Sequence, residues 1–220
     1  MGLNKARGNM YDFITHTWNV IKGQCFHDCS YCYMKKWGEL NLIHMDDKEL
    51  KTSLGTGNYI FVGSSNDMWA ERVPDIWIKT ILAHINKYPE NKYMFQSKNP
   101  MRFFEYDKYL PKNCITGTTI ETNRIYPCMG NTPPPDDRAE AMDGRRGFIT
   151  IEPILDFDID PFFAMLKNAN PASINIGADT QDNHLPEPPR GKIIELIAEL
   201  QKFTVVKKKS NLLRLVGAVC

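Results

Sequence analysis

Six short β-rich runs, each followed by residues with helical spacing, constrain this 220-residue chain more than any other feature. They are Thr17–Lys22, Tyr59–Ser64, Tyr93–Ser97, Ile115–Glu121, Phe148–Pro153 and Ser173–Gly177. Their starts recur at about the 30-residue period of a βαβ unit. Several runs are apolar at consecutive positions, as expected for parallel strands covered on both faces. The segments between them carry helix signals. Pro74-Asp75 opens one helix, and Ile78, Ile81, Leu82 and Ile85 keep the i, i+3, i+4, i+7 pattern. Asp136 to Met142 follows a triple-proline stop, Asp160-Pro161 reads as an N-cap with a first-turn proline, and Gly191 to Phe203 puts Ile193, Ile197 and Leu200 on one face. Six strands with crossover helices, and no room for eight, predict an α/β fold: a partial (β/α)6 TIM-like barrel of parallel strands, one domain over 1–220. Right-handed crossovers bring all the strand C-termini to one rim, and the loops there carry the chemistry of such folds.

Composition narrows the class. The chain is 42% hydrophobic and 24% charged, as soluble globular proteins are, and no apolar run approaches the length of a membrane span. With 27 basic and 26 acidic residues, the net charge of +1 gives no global push toward nucleic acid. The densest basic run, Lys207-Lys208-Lys209, reads as a solvated turn after a helix. The opening Met1-Gly2-Leu3-Asn4-Lys5 lacks the apolar stretch of a signal peptide. A cytoplasmic location is expected, where thiols stay reduced.

Cys25, Cys29 and Cys32 stand in C-x3-C-x2-C spacing just after the first strand, whereas Cys114, Cys128 and Cys220 are scattered. Three thiolates this close reach one metal centre. A structural zinc or an ordinary four-iron cluster takes four protein ligands, so a cluster held by three leaves one iron open. Two bland alternatives stand beside it: a buried structural trio, and a zinc site completed by His27 or a distant cysteine.

The triplet, with Tyr31 as the aromatic before its last cysteine, resembles the signature of the radical S-adenosylmethionine (SAM) enzymes. That resemblance implies a six-stranded partial barrel, a [4Fe-4S] cluster on Cys25, Cys29 and Cys32, and SAM chelating the open iron. It also implies reductive cleavage of SAM to a 5′-deoxyadenosyl radical, with electrons from a flavodoxin- or ferredoxin-like donor. Trp18-Asn19, Lys98-Asn99-Pro100, Ile120-Glu121-Thr122, Ile151-Glu152-Pro153, Asn175 to Asp179 and Asn211-Leu212 together resemble a phage-associated and prokaryotic branch of unassigned function. That branch is distantly similar to spore photoproduct lyase.

The strand ends supply the remaining candidates. Gly63-Ser64-Ser65 stands where the family has a Gly-Gly-Glu-like turn for the SAM amino group, so its backbone is the candidate there. Glu121 and Arg124 end the fourth strand and are candidates for the ribose or methionine moiety. Lys98 is either a partner for an anionic group of cofactor or substrate, or a turn lysine. Glu152 closes the fifth strand and needs a partner, either cofactor or substrate or a structural arginine such as Arg146. Asn175 is expected to face the barrel interior and Asp179 the mouth. If the chemistry follows photoproduct lyase, with a nucleic acid or nucleotide as substrate, Cys128 is the candidate hydrogen donor; otherwise it is an incidental loop cysteine. The competing class is a non-catalytic zinc or iron–sulfur scaffold.

Overall fold

The computed structural model describes residues 3–217, so the readings of Met1, Gly2 and Cys220 lie outside the described residues. Among the described residues ten strands form: β1 Asn4–Lys5, β2 His16–Trp18, β3 Ile21–Lys22, β4 His44–Met45, β5 Tyr59–Val62, β6 Lys92–Ser97, β7 Cys114–Thr119, β8 Phe148–Ile151, β9 Ser173–Ile176 and β10 Val205–Lys208. Eight make one sheet in the order β1-β2-β5-β6-β7-β8-β9-β10, and all its pairs are parallel except β1 with β2. The α/β partial barrel is therefore present, with its six predicted strands in the predicted order. Two differences matter. The first run splits, because Ile21–Lys22 leaves the sheet to pair antiparallel with β4. A seventh parallel strand, β10, extends the barrel, so Lys207 and Lys208 lie in a strand and not in a turn.

Helices α1 Asp75–Ile85, α2 Arg102–Tyr106, α3 Pro135–Glu140, α4 Ile159–Asn168, α5 Arg190–Leu200 and α6 Leu213–Val216 follow the strands. The apolar face predicted for α1 is the one that packs, with Ile78, Ile81, Leu82 and Ile85 all buried. In α4 the N-cap is Asp158, not Asp160, because the backbone is already helical at Ile159.

Strand alternation separates two cores. Ile60, Val62, Tyr93, Phe95, Ile149, Ile151, Ile174 and Ile176 point outward into the layer formed with the helices. Phe61, Met94 and Phe148 point inward, where Tyr11 and Ile14 of the N-terminal segment join them. The Tyr11 hydroxyl bonds to Gln96 Oε1 at 2.7 Å and Thr150 Oγ1 at 2.6 Å. Burial of that ring pushes its hydroxyl well above the ordinary tyrosine value, so it remains a neutral hydrogen-bonding group. The N-terminal segment thus plugs the barrel interior beneath the rim.

Candidate active site

The loops that leave the C-terminal ends of β2, β5, β6, β8 and β9 surround a cavity of about 810 Å³. That volume lies within the roughly 300–1,000 Å³ of small-molecule sites. Cys25, Cys29 and Cys32 all line it, and all three are free thiols.

The cysteine loop is built from short turns. Asp28 N–H donates to Cys25 O at 3.1 Å, and Cys32 N–H donates to Cys29 O at 3.2 Å. The loop after β7 backs it: Ser30 N–H donates to Cys128 O at 2.9 Å, Asn131 N–H to His27 O at 2.6 Å, and Cys29 Sγ to Met129 O at 3.3 Å. Gly130 sits where these two loops touch. Its φ is +65°, and a Cβ there would lie 2.2 Å from His27 O. Gly130→Ala must therefore push the cysteine loop aside as well as strain its own backbone. We expect iron uptake on reconstitution to fall well below half, while the far-ultraviolet circular dichroism of the barrel stays that of the wild type. Full iron uptake by Gly130→Ala would show that the contact does not hold the loop.

The donor set fits a cluster of the predicted kind. Burial, with the Asp67 charge nearby, pushes the Cys25 thiol up to about 12, and burial also raises Cys29. Such thiols give up their protons only to a strong cation, which cluster iron supplies. Among the described residues no three His, Cys, Asp or Glu side chains are placed to share one metal ion. A single zinc needs all its ligands within about 2.3 Å of one centre, whereas cluster thiolates each take their own iron. His27 does not turn to the cysteines either. It is buried, and its Nε2 bonds Asp67 Oδ2 at 2.8 Å.

Asp67 ties the cysteine loop to the strand ends. Its Oδ2 also accepts from Ser97 Oγ at 3.0 Å and Lys98 N–H at 2.8 Å, and its Oδ1 accepts from Trp69 N–H at 2.9 Å. Burial works to raise this carboxyl, but His27 and the two backbone donors outweigh it and hold it below the usual carboxylate range. Beside it, Gly63-Ser64-Ser65 lines the cavity as expected. Gly63 takes φ +78°, a turn that suits glycine, and Asn19 Oδ1 fixes the turn by accepting from Ser64 Oγ at 3.1 Å and Ser65 N–H at 3.0 Å. Tyr33, one residue past the last cysteine, donates to Ser64 O at 3.0 Å.

Glu121 is not on the cavity wall. It is fully buried one layer behind, with both oxygens used. Oε1 accepts from Tyr31 Oη and from Lys98 Nζ, each at 2.5 Å, and Oε2 accepts from Arg138 Nη1 at 2.8 Å. Lys98 and Tyr31 reach the cavity, and Glu121, expected to contact the cofactor, stands behind them and bonds both. Burial opposes its charge, but Arg138 and Lys98 overcome that and hold the carboxyl down at about 2. Lys98 Nζ also bonds Tyr31 Oη at 2.7 Å, so ammonium and phenol form one rigid polar patch on the wall.

The other candidates divide. Arg124 is bound at the outer rim to Asp156 and Asp158, at 2.5 Å each, and does not face the cavity. Cys128, the candidate hydrogen donor, packs with Cys29, Tyr31, Met129 and Leu155 and is not among the residues that line the cavity. Glu152 does line the cavity, but its partners are Lys209 Nζ at 2.7 Å, Asn211 Nδ2 at 2.6 Å and Asn9 Nδ2 at 2.8 Å, not Arg146. It latches the N-terminal segment to the end of β10. Asp179 lines the mouth as expected, where it accepts from the backbone of Gln181 and Asn183 and shapes its own loop. Asn175 faces the barrel interior as expected, but lines a second cavity on the β10 side. Sequence reading passed over Arg138, Asn19 and Lys209 as site residues. Their partners are distant in sequence, and no local motif marks them.

No protein-family profile matches the chain, and no curated protein does. Solved structures do. A cysteine-to-serine mutant of spore photoproduct lyase superposes with a TM-score of 0.65 at 11% identity, covering 90% of this chain and 78% of that one. The same lyase complexed with dinucleoside spore photoproduct gives 0.63 at 10% identity, with the same coverage. A double mutant with bound AdoMet and the dinucleoside gives 0.58 at 13% identity, covering 92% of this chain and 66% of that one. This chain therefore shares the fold of spore photoproduct lyase, a radical SAM enzyme.

Proposed function

We propose that this protein is a radical SAM enzyme, with a [4Fe-4S] cluster on Cys25, Cys29 and Cys32. The observation that carries the reading is the placement of three free, inward-facing thiols at the mouth of a barrel cavity in this fold. When bound, the cluster supplies the electron that cleaves SAM to methionine and a 5′-deoxyadenosyl radical. The chain's own residues do the holding. Asp67 and His27 brace the cysteine loop against β5 and β6. The Gly63-Ser64-Ser65 turn offers its backbone to the SAM amino group, and the Lys98 ammonium, fixed by Glu121, offers a positive charge to the carboxylate. The Tyr11 plug closes the barrel from below and keeps water from a reactive radical.

The reading extends to a low-potential electron donor of flavodoxin or ferredoxin type and to a cytoplasmic setting that keeps the thiols reduced. Among the described residues no helix is long and apolar enough to cross a membrane. A nucleotide-bearing substrate is the class the structural neighbours favour, since two of those compared are complexes with dinucleoside spore photoproduct. Stimulation of SAM cleavage by damaged DNA would support that class, and the absence of both that stimulation and salt-sensitive DNA binding would oppose it.

Metal analysis of anaerobically reconstituted protein tests the cluster. About four iron and four sulfide per chain support the enzyme, whereas one zinc per chain without sulfide would make the protein a scaffold.

A further inference from the structure

A second cavity, of about 250 Å³, opens at the free edge of the barrel between β10 and the N-terminal segment. Parallel register sets its wall. Thr150 of β8 stands beside Asn175 of β9, and Asn175 beside Lys207 of β10, so all three share the inward face. Asn175 is 95% buried, at 5% relative exposure, yet its side-chain amide makes no hydrogen bond among the described residues; it lines this cavity. Its amide atoms are not sealed off, so they face the cavity and are open to a ligand there. The Lys207 ammonium lies 5.6 Å over the Phe13 ring and has no carboxylate at ion-pair distance among the described residues. Lys209 is different, since Glu152 and Asn9 O already hold it. The Ser210 hydroxyl adds a further donor at the same wall. Asp12 also borders the cavity, without an ion pair to any of its lysines.

We propose that this edge cavity is an oxyanion site for a phosphate group, held by the Lys207 ammonium, the Asn175 amide and the Ser210 hydroxyl. The three donors are an ammonium, an amide and a hydroxyl, which together suit a tetrahedral acceptor with several free oxygens. The two cavities share Gly8 to Tyr11 and Lys209 as a common wall. Unlike the radical SAM reading, this site needs neither cluster nor SAM to bind its ligand.

Titration calorimetry of the full chain with inorganic phosphate tests it. Wild-type protein is expected to bind phosphate at concentrations up to ~20 mM, in the weak range for a small anion. Lys207→Ala is expected to weaken binding about tenfold, the scale of one charge-assisted hydrogen bond. Asn175→Ala is expected to weaken it as well, and Lys79→Ala on α1, which makes the same charge change elsewhere, is expected to leave it unaltered. Lys207 is exposed, so its variant folds even if Asn175→Ala does not. Absence of wild-type binding, equal losses in the Lys207 and Lys79 variants, or a loss confined to Arg7→Ala at the mouth of the large cavity would overturn the assignment.

Discussion

Glu121→Ala is expected to lose about 3–5 kcal/mol of stability, the cost of removing one partner from a buried ion pair. The size of the effect follows from what is left behind. Lys98 on the cavity wall and Arg138 behind it would be left without their shared counter-charge, and Arg138, which is fully buried, already has Nε and Nη2 without partners. For a chain of this length such a loss lowers the melting temperature by about 10 °C. Measuring the cluster-free protein separates this effect from cluster loss. Glu121→Gln keeps the shape and removes the charge, and is expected to fall between the two.

The same carboxylate sets a pH dependence. Its folded value, about 2, lies below the ordinary glutamate value because Arg138 and Lys98 outweigh burial. A depressed carboxyl contributes stability that is fully present above its unfolded value and lost as pH falls through its folded value. Between pH 5 and pH 2 the wild type is therefore expected to lose about 3 kcal/mol from this group alone. Glu121→Gln should show a shallower slope over that window in chemical denaturation. An equal slope, or a loss under about 1 kcal/mol for Glu121→Ala, would mean that the charges are not paired as described.

Replacing Cys25, Cys29 or Cys32 singly by alanine is expected to abolish cluster assembly, with iron falling to the level of unreconstituted protein. Three thiolates that each hold one iron leave no spare ligand, and His27 is committed to Asp67. Cys114→Ala and Cys128→Ala serve as controls. Cys114 begins β7 away from the mouth, and Cys128 meets the cysteine loop through its backbone carbonyl, which alanine retains. Both are expected to take up iron as the wild type does. Normal iron content in a Cys29→Ala protein would place the cluster elsewhere.

The barrel was legible because burial on both faces writes consecutive apolar residues into a parallel strand, as in Tyr59-Ile60-Phe61-Val62 and Phe148-Ile149-Thr150-Ile151. Strand β10 escaped notice because it is an edge. Val205 is exposed, and the lysines that follow it read as a solvated run. The cysteine triplet was legible because its three thiols lie within eight residues of one another in sequence, from Cys25 to Cys32. Glu121 was visible as a polar residue at a strand end, but its role was not. That role depends on Tyr31, Lys98 and Arg138 converging from three other segments, and no local pattern records such convergence. The structural partner of Glu152 was hidden in the same way: an arginine such as Arg146 was one alternative on paper, and a lysine 57 positions later, Lys209, bonds it in space.

The most direct test of the central claim is the yield of 5′-deoxyadenosine from reconstituted protein reduced with dithionite and supplied with SAM. Product is expected that depends on the cluster and vanishes in the Cys25→Ala protein. A fully loaded cluster with no 5′-deoxyadenosine above that control, with and without a nucleotide-bearing substrate, would contradict it.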